Sequence, residues 1–223
     1  MQLDFLLNEN ISDELALTTE QLDLEQALIY KKDRHNAYSV ERVYINSKAY
    51  HDKFENFPVN KEVQQSIYRE AGRLLNFVDG QEQERMLVIN ARTGEFIVDN
   101  FDRDGDMYKT GFNEAEYQKI LDCSDNIIVM HNHSLNGRPS AQDLISYLKE
   151  EKVKLSLILC HDGSVYGIFD VKPEVEGIYE MYLTEVKTKT TSVEEAKRLA
   201  TTKLYILNEK LGKKQKLFDV RRF

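Results

Sequence analysis

The sequence predicts an α+β fold in which a mixed, mainly antiparallel sheet is flanked by helices. Three observations carry this. Apolar residues recur at helical spacing in "NKEVQQSIYREAGRLLNFV" and "SAQDLISYLKEE". "ERMLVIN" and "GEFIVDN" flank a short turn as a hairpin does. "DNIIVMHNH", "KLSLILC" and "SVYGIFDV" are apolar runs of strand length. With 223 residues, the chain is long enough for one domain with a substantial core plus helical additions.

Taken in order, the first 35 residues hold acidic, leucine-rich pieces such as "TTEQLDLEQAL", which suit short helices or an arm. In "YSVERVYIN", Val40, Val43 and Ile45 give a broken alternation that predicts a strand. "SKAYHDKFENF" predicts a short helix capped by Ser47. Asn60 opens a longer helix with Val63, Ile67, Ala71, Leu74 and Leu75 on one face, and Gly80 falls just past its last turn. The hairpin follows with Gly94 at its turn, then a short helix over "EAEYQKIL". The run ending in "MHNH" predicts a buried strand, and the next helix turns Leu144, Ile145 and Leu148 inward. Two strands joined by "HDGS" come next. From Pro173 a helical stripe runs through Val175, Ile178, Tyr179, Tyr182 and Val186, and Ser192 with Glu195 forms a capping box for the last helix. The basic stretch "KLGKKQKLFDVRR" reads as a solvated helix end and tail. The expected organisation is an arm and small extension over 1–59, a core over 60–172 and a helical extension over 173–223.

Composition narrows the function classes. Thirty basic against 38 acidic residues give a net charge of −8, which argues against nucleic acid as a partner unless positive charge is clustered. No apolar run reaches the roughly 20 residues needed to span a bilayer. The first segment has no basic lead of the secretory kind, so the cytoplasm is the expected location. Cys123 and Cys160 lie in no C-x-x-C arrangement and read as small buried residues rather than metal thiolates.

The segment "MHNHSLNGRPSAQDL" has two readings. In the first, Ser140 and Asp143 form a capping box, Gly137 and Pro139 make a turn, and the histidines are polar residues at a strand end. In the second, His131 and His133 are one residue apart on a strand, so they share a face about 7 Å apart and can converge on one ion. Imidazole nitrogen and carboxylate oxygen suit zinc, at about 2.0–2.1 Å from each donor. Asp143, on the first helical turn after the loop, would complete three protein ligands and leave one tetrahedral position open, as in a catalytic site. Such a site needs a carboxylate base that is not itself a ligand. Glu82 and Glu84 precede or begin a neighbouring strand and are the candidates; otherwise they belong to a solvated strand end.

"HNHSLNGRPSAQDL" resembles the H-x-H…S-x-x-D signature of the JAMM (JAB/MPN-plus) zinc metalloproteases, and "QERMLVINARTGEFI" resembles the strand that opens with the family's catalytic glutamate. The bacterial and phage branches, the RadC-type proteins and the JAB-like domains of phage head-morphogenesis proteins, are the most similar. They share the H-N-H triplet, and "CHDGSVYGI" is similar to their next hairpin. The resemblance covers about 80–170. It implies an MPN-type, cytidine-deaminase-like core and a JAB/MPN-like catalytic domain over 60–172. It further implies zinc held by His131, His133 and Asp143, with Glu84 as general acid/base and Glu82 as the alternative. Ser140 would help to hold the carbonyl oxygen. Two features depart from the family pattern: Ser134 stands where a proline usually follows the second histidine, and the spacer to Ser140 is slightly short. His161 has no counterpart and reads as a turn residue. The implied activity is cleavage of peptide or isopeptide bonds in a protein or peptide substrate, including one with a ubiquitin-like tail. The competing expectations are a non-catalytic MPN-like scaffold, phage-associated, or a RadC-like role linked to DNA.

Overall fold

The structure is a computed structural model, and residues 37–102 and 111–223 are described. The arm expected over the first 35 residues lies outside them. The described chain is α+β. Its order is α1 (Arg42–Ile45), α2 (Lys48–Phe54), α3 (Lys61–Phe77), β1 (Met86–Asn90), β2 (Phe96–Asp99), α4 (Glu114–Asp122), β3 (Ile127–His133), α5 (Ala141–Lys149), β4 (Val153–Cys160), β5 (Val165–Val171), α6 (Glu174–Lys187), α7 (Val193–Lys210), α8 (Gly212–Gln215) and β6 (Phe218–Arg222).

The strands form one six-stranded mixed sheet, ordered β2-β1-β3-β4-β5-β6. Among the described strands only β3 and β4 run parallel, joined through α5 as a parallel pair requires; the other pairings are antiparallel. Side chains alternate between two faces. On one, Leu87, Ile89, Ile128, Met130, Leu155 and Leu157 pack against Tyr50, Phe54, Ile67 and Leu74 of α2 and α3. On the other, Ile158, Cys160 and Ile168 pack against Leu144 of α5, Val175 and Tyr182 of α6 and Leu204 of α7. β3 is covered on both sides, which is why its sequence reads as a continuous apolar run rather than an alternation.

Most local signals fold as the sequence predicts. Ser47 and Asn60 cap α2 and α3 by accepting from Tyr50 N and Val63 N. Gly94 turns the hairpin at φ +75°, and a Cβ there would lie 2.5 Å from Ser66 Oγ. The capping box at Ser192 is half formed: Ser192 accepts from Glu195 N, but the Glu195 carboxylate accepts from Thr191 N.

Two segments differ. "ERVYI" is not a strand but the short helix α1, with Val43 91% exposed. Asp79 accepts from Val40 N and Arg42 Nε, at 2.8 and 2.6 Å, and fastens the segment to the end of α3. Tertiary contacts therefore override the strand preference of its β-branched residues. The C-terminal stretch is not a solvated tail: it forms β6, with Phe218 2% exposed. Asn208 of α7 draws it in, accepting from Leu217 N and Phe218 N and donating to Phe218 O. The sheet thus runs past residue 172 and ends in the stretch expected to be helical. Among the described residues no helix is long and apolar enough to cross a membrane.

Candidate metal centre

The site grows from two regular elements. β3 ends in His131-Asn132-His133, so its period of two turns both histidines to the face covered by α5. α5 begins immediately after Ser140, whose hydroxyl accepts from Asp143 N while the Asp143 carboxylate accepts from Ser140 N. This capping box fixes Asp143 as well as starting the helix. The loop between them is fastened along its length. Asn136 adopts φ +61° and its side chain accepts from Asp162 N. The Gly137 carbonyl lies 2.9 Å from His133 Nδ1, and the Pro139 carbonyl accepts from Tyr205 Oη. The shorter spacer therefore still delivers Asp143 to the histidines.

His131 Nε2 and His133 Nε2 lie 3.2 Å apart. Asp143 Oδ1 is 3.3 Å from the first, and Asp143 Oδ2 is 3.4 Å from the second. Four donors around zinc at about 2.0–2.1 Å stand about 3.3–3.4 Å from one another; the His131–His133 and His131–Asp143 Oδ1 separations are of that size, while His133 is met by the other carboxylate oxygen, Oδ2. Asp143 Oδ2 already accepts from Ser140 N and Oγ, at 2.7 and 2.8 Å, which leaves Oδ1 as the oxygen for an ion. Because the Gly137 carbonyl can only accept, His133 carries its hydrogen on Nδ1 and turns Nε2 inward. His131 Nδ1 is buried without a hydrogen-bond partner, so its Nε2 side orients that ring. These three residues could hold a metal.

The charges point the same way. Burial opposes the charged form of His133, but the hydrogen bond and charge of Asp143, the charge of Glu84 and the Gly137 carbonyl outweigh it, and its pKa is pushed up to about 9. Burial alone would raise Asp143, yet the two imidazoles hold it well below the usual carboxylate range. The cluster is thus built around a positive species, a proton or a cation. A second grouping, His51, Asp52 and Glu55, also has suitable donors. There, however, the Lys48 ammonium already sits 2.7 Å from both Asp52 oxygens on the exposed face of α2.

Of the two glutamates, Glu84 approaches the triangle, its Oε1 3.8 Å from His133 Nε2. The Glu82 carboxylate instead takes the Tyr38 hydroxyl and raises its pKa. Neither belongs to β1; both sit on the extended chain that precedes it. Residues that the sequence did not single out hold that chain. Asn132, fully buried between the two histidines, accepts from Arg85 N at 2.7 Å and donates to Gln83 O at 3.3 Å. Ser134, at the usual proline position, donates to Glu82 O at 3.1 Å. His161 is more than a turn residue: it is fully buried, with Nδ1 2.7 Å from Tyr38 O and Nε2 3.1 Å from Asn132 Nδ2. The Tyr38 carbonyl accepts only, so Nδ1 carries the hydrogen and Nε2 accepts from Asn132. The one available signal was spacing: in H-N-H-S, residues 132 and 134 must face away from 131 and 133, towards whatever lies behind the ligands. Cys160 and Cys123 are free, and burial pushes the Cys160 thiol up, away from thiolate ligation.

Comparison of the chain with protein-family models, curated proteins and solved structures found no match. What fold and site define on their own is an α+β protein with a His-His-Asp grouping able to take a metal at the end of its central parallel strand pair.

Proposed function

We propose that this protein is a zinc-dependent hydrolase of the JAMM type, built on an MPN-like core of the cytidine-deaminase-like class, that cleaves peptide or isopeptide bonds. The observation that carries the reading is the convergence of His131 Nε2, His133 Nε2 and the Asp143 carboxylate, at separations of 3.2, 3.3 and 3.4 Å, with the Glu84 carboxylate 3.8 Å from His133 Nε2. Zinc rather than magnesium or calcium suits two imidazoles and one carboxylate.

Bound there, zinc would supply a Lewis acid that lowers the pKa of a water and polarises a carbonyl. The chain does the rest. His131, His133 and Asp143 would hold the ion. Glu84, 45% exposed and 3.8 Å from His133 Nε2, would be placed to take a proton from an attacking water and to pass it to the departing amine. Ser140 directs its one hydroxyl hydrogen to Asp143 Oδ2, so its first role is to hold Asp143. Holding the carbonyl oxygen requires that hydrogen to turn towards substrate. A protein or peptide substrate, including one with a ubiquitin-like tail, follows from the family reading.

The test is zinc content beside cleavage. Purified protein should carry about one zinc per chain, removable by chelator, and His131→Ala should carry none. A folded protein that takes up no zinc overturns the reading and favours the non-catalytic scaffold. Salt-sensitive retention on DNA, against the net charge of −8, would instead favour the DNA-linked role.

A further inference from the structure

Beside the triangle, on the same face of the sheet, lies a second group of side chains. Pairing across the strands sets His131 opposite Ile158, Ile158 opposite Tyr166, and Tyr166 opposite Arg222. These four form one row. At about 4.8 Å per strand, Tyr166 stands about 10 Å and Arg222 about 14 Å from His131 along it. Arg138 joins from the ligand loop. Its backbone is pinned between the Gly137 carbonyl, which takes His133, and the Pro139 carbonyl, which takes Tyr205. Its guanidinium lies 4.0 Å from the Tyr205 ring centre and has no hydrogen-bond or ion-pair partner among the described residues. Arg222 donates to Ser164 Oγ at 2.8 Å and stands 5.8 Å over the Tyr166 ring. The loop carrying Arg138 is tied to the same corner: Gly137 O accepts from Cys160 Sγ at 3.6 Å, Asn136 accepts from Asp162 N at 2.8 Å, and Asp162 takes Ser164, the residue that holds Arg222; the charges of both guanidiniums reach the half-buried Tyr166 hydroxyl. The nearby Asp162 also acts on it, but its oxygens accept from Ser164 N and Oγ. The group therefore keeps a net positive charge in a chain whose overall charge is −8.

Arg138, 4.0 Å from the Tyr205 ring centre, is held in orientation while its N–H edge stays open, the arrangement suited to bidentate capture of a carboxylate; Arg222, oriented by Ser164, keeps further N–H donors besides the one it gives there. We propose that Arg138 and Arg222, together with the Tyr166 hydroxyl, form a carboxylate-binding subsite beside the candidate metal centre that selects peptides carrying an anionic group. The group would lie roughly three to four extended residues from the bond at the metal, since about 10–14 Å divides by about 3.3 Å per residue. The carboxylate is a free chain end or an acidic side chain. Its role as part of a substrate rests on the hydrolase reading; its capacity to bind does not.

NMR titration of the metal-free, chelator-treated protein separates the two. The probes are acetyl-tetraglycine with a free carboxylate against its carboxamide, and acetyl-Gly-Gly-Glu-Gly-amide against the glutamine version. At least one acid should bind about tenfold more tightly than its neutral twin, weaken with added salt, and shift tyrosine ring signals. Whichever pair discriminates identifies the source of the carboxylate. Arg138→Gln and Arg222→Gln, each checked for folding, should bring acid and neutral probe within about twofold of each other. Equal binding of acid and neutral probes by the parent protein overturns the subsite whatever the variants do. So does a preference that survives both substitutions. Zinc uptake measured on the same samples reports separately on the catalytic reading: a protein that prefers the acid yet takes up no zinc keeps the subsite and loses the hydrolase.

Discussion

The His-His-Asp triangle and the glutamate beside it are held by different means. His131 and His133 are placed by strand periodicity and Asp143 by a helix cap, so regular backbone geometry sets all three. Glu84 sits on irregular chain, and its position depends on side chains that reach across from β3: Asn132 to Arg85 N and Gln83 O, Ser134 to Glu82 O. The triangle is also nearly closed to solvent, with His131 at 5% exposure, while Glu84 is open. The contrast separates two tasks. Holding an ion requires rigid, desolvated donors. Moving a proton requires a carboxylate that meets both water and substrate, which irregular chain at a strand entrance permits.

The largest effect that would break this contrast is loss of a ligand. On the hydrolase reading, Asp143→Ala should remove both retained zinc and cleavage, because it deletes a donor and leaves two imidazoles 3.2 Å apart with only the more exposed Glu84 as counter-charge. Metal analysis after dialysis checks it, and an Asp143→Ala protein that keeps its zinc would show that the triangle is not the site. Next in size, on the same reading, Glu84→Gln should keep zinc and lower kcat by about 10²–10⁴, since it would remove the proposed proton carrier and no proposed ligand. Single-turnover cleavage beside zinc content separates the two variants; a Glu84→Gln enzyme of parental rate would return the role to Glu82 or to no carboxylate at all.

Asn132 tests the contrast from the other side. Asn132→Ala should leave zinc stoichiometry near that of the parent but lower kcat by about 10–100-fold, the cost typical of losing a supporting contact behind a metal ligand. It should also lower stability by about 1–3 kcal/mol, because Arg85 N loses its buried partner. Urea unfolding and zinc analysis on one preparation read both. If zinc leaves together with activity, Asn132 supports the ligands and not the glutamate segment. The same residue marks how far the sequence could be read. The helices, the hairpin and the histidine strand were legible because periodicity and caps are local signals: Asn60, Gly94 and Ser140 each do what their type suggests. The triangle was legible because it uses those signals. The clamp was not, since a buried asparagine between two histidines is informative only once β1 is known to lie antiparallel to β3. His161, 29 positions after Asn132, is joined to it by tertiary structure alone. β6 was hidden for a related reason: its basic composition masked the Phe218–Val220 alternation, and the Asn208 side chain that captures it belongs to a helix.

The smallest effect lies at the opposite end of the same strands and gives the baseline for a carboxylate fastened without a metal. Asp125, just before β3, accepts from Asn90 Nδ2 at the end of β1 and from Arg92 in the hairpin turn. Those partners, Arg92 first, hold its pKa at about 2, below the 3.8 of an unperturbed aspartate. A depressed carboxylate stabilises the fold fully above its unfolded pKa, and the contribution disappears as pH falls from 3.8 through about 2. The pair is solvent-exposed, so the effect should be small and should weaken with salt. Unfolding midpoints of the parent and Asp125→Asn, compared from pH 6 down to pH 2, should differ by a constant above about pH 5 and converge below it, whether or not zinc is present. A difference that depends on zinc would couple the two ends of β3, and the metal centre would then depend on more than the strand end, the helix cap and the loop between them.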